Sequence, residues 1–153
     1  MRRHLVSTVG VTAALIVTAL AGCGSNGHEA ADPQERVGLV EVGDHTLLVQ
    51  LIDEGGADAA FAGPVGVSGQ GCYGISNEDG SVTPVIWPLG FGLTEDGRLR
   101  GDDGTVYAAG DALDAGGGFV DDLRSSYGPI VDECLGGGVD GIVLGSVRPV
   151  PSG

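Results

Sequence analysis

The side chains able to do chemistry are carboxylates above all, with little to partner them. They come in adjacent pairs: Asp53-Glu54, Glu78-Asp79, Glu95-Asp96, Asp102-Asp103, Asp121-Asp122 and Asp132-Glu133. Glycoside hydrolysis needs two carboxylates facing one sugar across a cleft, whereas sequence neighbours beside glycine belong to solvated turns. Two histidines follow the N-terminal stretch, His28 in a polar segment and His45 beside a turn. Neither is spaced from a Ser and an Asp in a way that marks a triad, but triads are recognised by geometry and not by order, so His45 stays the histidine a hydrolase could use. Residues 96–103 are rich in oxygen ligands for calcium yet contain no EF-hand loop. The glycine triplets at 116–118 and 136–138 lack the Lys-Ser/Thr that completes a phosphate loop and read as flexible loops. No cofactor is implied.

A third kind of chemistry sits at the N-terminus. Met1, Arg2, Arg3 and His4 form a positive stub, followed by an uncharged stretch over residues 5–21 rich in Val, Ala, Leu and Ile. That is the layout of a secretory signal. The stretch is diluted by Ser7, Thr8, Gly10, Thr12 and Thr18 and falls short of the about 20 predominantly apolar residues of a spanning helix. It ends in Leu20-Ala21-Gly22-Cys23, which resembles the bacterial lipobox: a branched apolar residue, two small residues and a cysteine. The resemblance implies cleavage before Cys23 and a diacylglycerol on its thiol, whose two chains suffice for stable membrane attachment. The expected organisation is a signal peptide over 1–22, a lipid-anchored tether over 23–36 and one domain over 37–150. The domain is expected on the extracytoplasmic face of a cell membrane.

Composition narrows the partners. The chain carries twenty-one acidic residues against seven basic ones, and cleavage removes Arg2 and Arg3 but no acid. No lysine occurs, and Arg36, Arg98, Arg100, Arg124 and Arg148 are scattered. Nucleic-acid binding requires a basic footprint and is excluded on this ground. An anionic lipid surface repels the domain, so membrane contact is expected through the lipid on Cys23 alone. With Cys23 acylated, Cys72 and Cys134 remain as an even pair in an oxidising compartment, without a Cys-x-x-Cys and with apolar neighbours. A structural disulfide between them is expected.

The elements that position these groups are short. Residues 24–36 have no apolar period and read as a flexible tether. Branched apolar segments then recur at 37–42, 45–52, 71–76, 82–87, 91–94, 105–109 and 141–147, bounded by turn residues. Asp79-Gly80, Asp96-Gly97 and Asp103-Gly104 place an Asp-Gly pair where a hairpin needs positive φ. Pro84 and Pro88 bracket Val85, Ile86 and Trp87, which marks an edge strand or a barrel seam. Residues 129–135 followed by Gly136 resemble a short helix with proline in its first turn and glycine after its end. Trp87, Tyr73, Phe91, Tyr107 and Phe119 stand at strand spacing and read as core. The expected fold is all-β: a small antiparallel, partly closed barrel of six to eight strands with one short helix, a two-sheet sandwich being the alternative.

Several of these segments carry a second resemblance. Gly71-Cys72-Tyr73-Gly74-Ile75, Val85-Ile86-Trp87-Pro88, Asp103-Gly104-Thr105-Val106, Gly110-Asp111 and the 116–118 triplet resemble a loose family of small secreted or lipid-anchored actinobacterial β domains. The family's later cysteine corresponds to Cys134. The resemblance implies the fold and the disulfide, with no activity attached. The function expected is a non-enzymatic envelope module that binds a protein, a glycan or a small ligand, with a small hydrolase using His45 or paired carboxylates as the alternative. Intact mass of the protein extracted from membranes should begin at Cys23 with added acyl chains and rise by two hydrogens on reduction. A chain starting at Met1, or lacking lipid, overturns the anchor.

Overall fold

The computed structural model describes residues 35–54 and 59–150. The signal segment, Cys23 and the tether up to residue 34 lie outside the described residues. The elements run β1 (Val37–Val42), β2 (His45–Gln50), β3 (Ala59–Val67), β4 (Tyr73–Ser76), β5 (Val82–Trp87), β6 (Gly92–Leu93), β7 (Leu99–Arg100), β8 (Val106–Tyr107), β9 (Ala112–Val120), α1 (Leu123–Tyr127), α2 (Asp132–Leu135) and β10 (Gly141–Pro149). One sheet has the order β1-β2-β5-β10-β9-β3-β4, and β4 pairs back onto β5 to close a barrel of five strands. Strands β6, β7 and β8 form a small separate meander.

Most pairings are antiparallel, but β5 runs parallel to β10 on one edge and to β2 on the other. Along that second edge β4 pairs with Val82, Thr83 and Pro84, and β2 takes over at Ile86 and Trp87. Of the two places offered by the bracketing prolines, β5 therefore occupies the seam and not an edge. Pro84, which has no N–H to donate, lies near the handover between the two partners.

Two cores follow from alternation along the central strands. Leu47 and Val49, Val85 and Trp87, Ile142 and Leu144 fill the barrel interior. Leu48, Ile86 and Val143 point the other way, beneath Leu123, Tyr127, Val131, Cys134 and Leu135 of the helical segment. A strand buried on both faces needs consecutive apolar residues, which is what Leu47-Leu48-Val49, Val85-Ile86-Trp87 and Ile142-Val143-Leu144 supply. Each fully buried side chain of this kind contributes about 1.5–3 kcal/mol.

The Asp-Gly turns form as expected, with φ of 83° at Gly80, 79° at Gly97 and 85° at Gly104. The expected helix appears as a 3-10 turn (Pro129–Val131) continuing into α2, which ends at the left-handed Gly136. A second short helix, α1, was not foreseen; its start is set by Asp122, whose carboxylate accepts from the Ser125 amide at 2.9 Å.

Two long strands lie outside the segments expected as strands. Strand β3 contains Gly63, Pro64 and Gly66, and β9 contains the 116–118 triplet. The loop reading of that triplet is corrected: it is the middle of β9, paired with β3 on one side and β10 on the other. A β-carbon at Gly117 would collide with the Val143 carbonyl oxygen and approach Leu144 Cα to 3.0 Å. Glycine here permits close packing of backbones where local propensity opposes a strand.

Cys72 and Cys134 are bonded, with Cα atoms 5.5 Å apart and a sequence separation of 62. The bond ties α2 to the head of β4 over the outer core. Replacing both cysteines by serine should cost about 4 kcal/mol, seen as a lower urea midpoint in equilibrium unfolding. A midpoint unchanged from the wild type would show that the staple adds nothing to stability.

Candidate functional site

His45 opens β2 with its ring 5.6 Å from that of Tyr73. The Tyr73 hydroxyl donates to the Gly97 carbonyl at 2.8 Å, and a β-carbon at Gly97 would strike the His45 ring. His45 and Tyr73 thus seat the turn between β6 and β7 on the barrel. The buried Nδ1 of His45 has no partner, and His45 hydrogen-bonds to no Ser or Asp among the described residues. Burial pushes the Tyr73 hydroxyl above its ordinary pKa. No nucleophile is assembled around this histidine.

The paired carboxylates are dispersed, and most hold their own turns. Asp79 accepts from Ser81 N at 2.9 Å and Oγ at 2.6 Å, and Asp103 accepts from Thr105 N and Oγ1. Asp96 accepts from Thr94 Oγ1 and Arg98 Nε. These bonds favour the ionised form and hold the carboxyl groups of Asp79, Asp96, Asp103 and Asp122 below the usual range. The calcium-like span 96–103 therefore has two of its acids already engaged.

The aromatic residues divide. Trp87, Tyr73, Phe91 and Tyr107 are buried, and Phe91 stacks with both Trp87 and Tyr107. Phe119 corrects the core reading: it is 73% exposed, resting edge-on against Phe61.

Near the start of β1 a small polar network closes the outer core. Arg36 Nε lies 2.8 Å from Glu54 Oε1, close enough to pair by charge although not aligned as a hydrogen bond. Tyr127 donates its hydroxyl to the other oxygen of Glu54 at 3.2 Å. Burial first, and then the facing carboxylate, push the Tyr127 hydroxyl up to about 12. Together with Gly118, Phe119, Val120 and Val143 these groups border a hollow of about 320 Å³. Its polar groups face one another as an ion pair and a hydroxyl–carboxylate hydrogen bond.

A different cavity is bordered by a buried polar side chain. Gln50, at the end of β2, is the single polar side chain buried among the described residues, 2% exposed. Its Nε2 donates to the Leu144 carbonyl at 2.6 Å. Leu144 precedes a bulge, where β10 inserts Gly145 between the residues paired with Gly117 and Gly116. Bulges break a ladder locally and re-aim the flanking groups. Gln50, Gly145, Ser146 and Val147 form one side of a cavity of about 270 Å³, and Pro88, Leu89 and Phe91 another, with Asp53 and Asp102 completing it. The turn after β5 passes close to Asp102 because Gly90, at φ 91°, has no β-carbon to meet Asp102 Cβ. One acid from each of two sequence pairs thus reaches a common space. Sequence reasoning passed over Gln50, although one polar residue inside Leu47-Leu48-Val49-Gln50-Leu51-Ile52 was the available signal.

The raised Tyr127 makes stability sensitive to alkali. The unfolded phenol loses its proton near pH 10 and the folded one near 12, so this contribution is intact below pH 10 and is lost as pH rises between the two. Unfolding free energy should fall by up to about 2 kcal/mol across that window. Tyr127→Phe should flatten the slope, and an equal slope in both proteins would refute the assignment. Compared with known proteins, the chain matches no family model, no curated sequence and no solved structure.

Proposed function

We propose that this chain is a lipid-anchored module on the extracytoplasmic face of a cell membrane, made for binding rather than catalysis, with the Gln50 cavity as its ligand site. The lipobox Leu20-Ala21-Gly22-Cys23 supports the anchor. The observation that carries the site is Gln50 itself. Its amide is 2% exposed, donates to the Leu144 carbonyl beside a strand bulge and borders a cavity with two carboxylates. At about 270 Å³ the cavity is near the lower end of the about 300–1,000 Å³ of small-molecule sites. A compact polar ligand or one terminal unit of a glycan fits that size, whereas a protein partner would need a larger surface.

The hydrolase alternative keeps one supporting observation, since Asp53 and Asp102 face a common cavity as a glycosidase pair must. His45 has no part in it. The two readings separate in one experiment on the full chain purified from membranes: thermal shifts against sugars, amino acids and amines, run beside hydrolysis of a panel of aryl glycosides. At least one compound should raise the melting temperature of the wild type and not of Gln50→Leu, with no glycoside cleaved. Cleavage that disappears in Asp102→Asn would establish the hydrolase instead. A screen with no stabilising compound would overturn the binding site.

A further inference from the structure

We propose that the face around Arg36 lies against the bilayer, with Phe119 and Leu51 seated at the lipid interface; this inference rests on reading Cys23 as the lipid anchor. Reach is the first constraint. The stretch from Cys23 to Arg36 spans at most about 45 Å, at about 3.3–3.6 Å per residue. That is comparable with the width of a domain of this length. The face from which the chain leaves toward its anchor is therefore the one brought nearest to the membrane.

The same face carries apolar side chains without cover. Phe119 is the most exposed large apolar residue among the described residues, at 73%, and it borders the hollow that Arg36 also borders. Along β9 the residues at 113, 115 and 117 are buried in alternation, and Phe119 continues that phase yet is open. Leu51, half exposed, donates its amide to the Arg36 carbonyl at 2.8 Å, and Ile52 beside it is also exposed. Apolar groups grouped in this way mark a surface that is covered in use.

Charge decides what covers it. A second copy of this chain would bring together two bodies of net charge −14, and like charges across an interface are costly. A lipid interface takes aromatic and aliphatic side chains beside a cationic one. Arg36 faces Glu54 and balances its carboxylate, so the hollow brings no net charge to the membrane. The exposed neighbours Glu35 and Asp53 favour a zwitterionic headgroup over an anionic one.

The test uses the acylated full chain purified from membranes and reconstituted in phosphatidylcholine vesicles, plain or brominated on the acyl chains, with tryptophan fluorescence as the readout. Trp87 is fully buried and supplies a background out of reach of the bromine. Phe119→Trp, a change at an open position, should add emission that is lost in the brominated vesicles. Val106→Trp, at an exposed position on β8 that does not border the hollow, should keep its emission. Leu51→Ser combined with Phe119→Trp should restore part of the lost emission. Equal quenching of the two single variants, or of neither, overturns the face, and the anchor stands as long as the chain floats with the vesicles. An emission of Phe119→Trp that resists bromine and shifts as protein density rises would assign the face to a second copy instead. A chain that does not float with the vesicles overturns the anchor, and the face with it.

Discussion

The structure depends on β5 being enclosed on every side. Its edges are taken by β10 on one hand and by β4 and then β2 on the other. Its faces are taken by the barrel interior and by the helical segment. Val85, Ile86 and Trp87 are each at most 1% exposed, so three consecutive side chains are removed from water in alternating directions. The Trp87 indole N–H donates to the Tyr73 carbonyl at 3.3 Å, which satisfies the one polar atom that this burial would strand. The remaining strands can be described by which side of β5 they cover.

The disulfide belongs to the same constraint. Helices of four and five residues are too short to hold together in water. They persist because Leu123, Tyr127, Val131 and Leu135 cover Ile86 and Val143, and because Cys134 is bonded to Cys72 beside β2. The Arg36, Glu54 and Tyr127 network closes this layer at the other end. The outer core is thus pinned by a covalent bond at one end and a polar cluster at the other.

Where local chemistry and tertiary structure agree, the sequence was legible. The Asp-Gly hairpins, the turn leading into α2 and the cysteine pair all rest on residues whose preference is strong in any context. Strands β3 and β9 were hidden because their glycines make room for neighbours, Gly117 for the β10 backbone and Gly63 and Gly116 for the Ile75 and Ser146 side chains, while local propensity argues against a strand at such positions. The parallel pairing of β5 was written in the three apolar triplets, yet a run of three is also what an ordinary half-buried strand can show. For the candidate site, the acids were visible but their grouping was not. Asp53 and Asp102 meet only through the fold, and Gln50 becomes notable only once its burial is known.

The position of β10 has a consequence for the order of events during synthesis. Strand β10 lies between β5 and β9, so the barrel stays open, with β5 lacking a neighbour along one edge, until β10 is present. A polypeptide arranged in this way cannot lock its core while its tail is still being made, and its long-range pairings slow whatever collapse occurs first. It therefore remains open to rearrangement for longer than a chain whose early hairpins are self-sufficient.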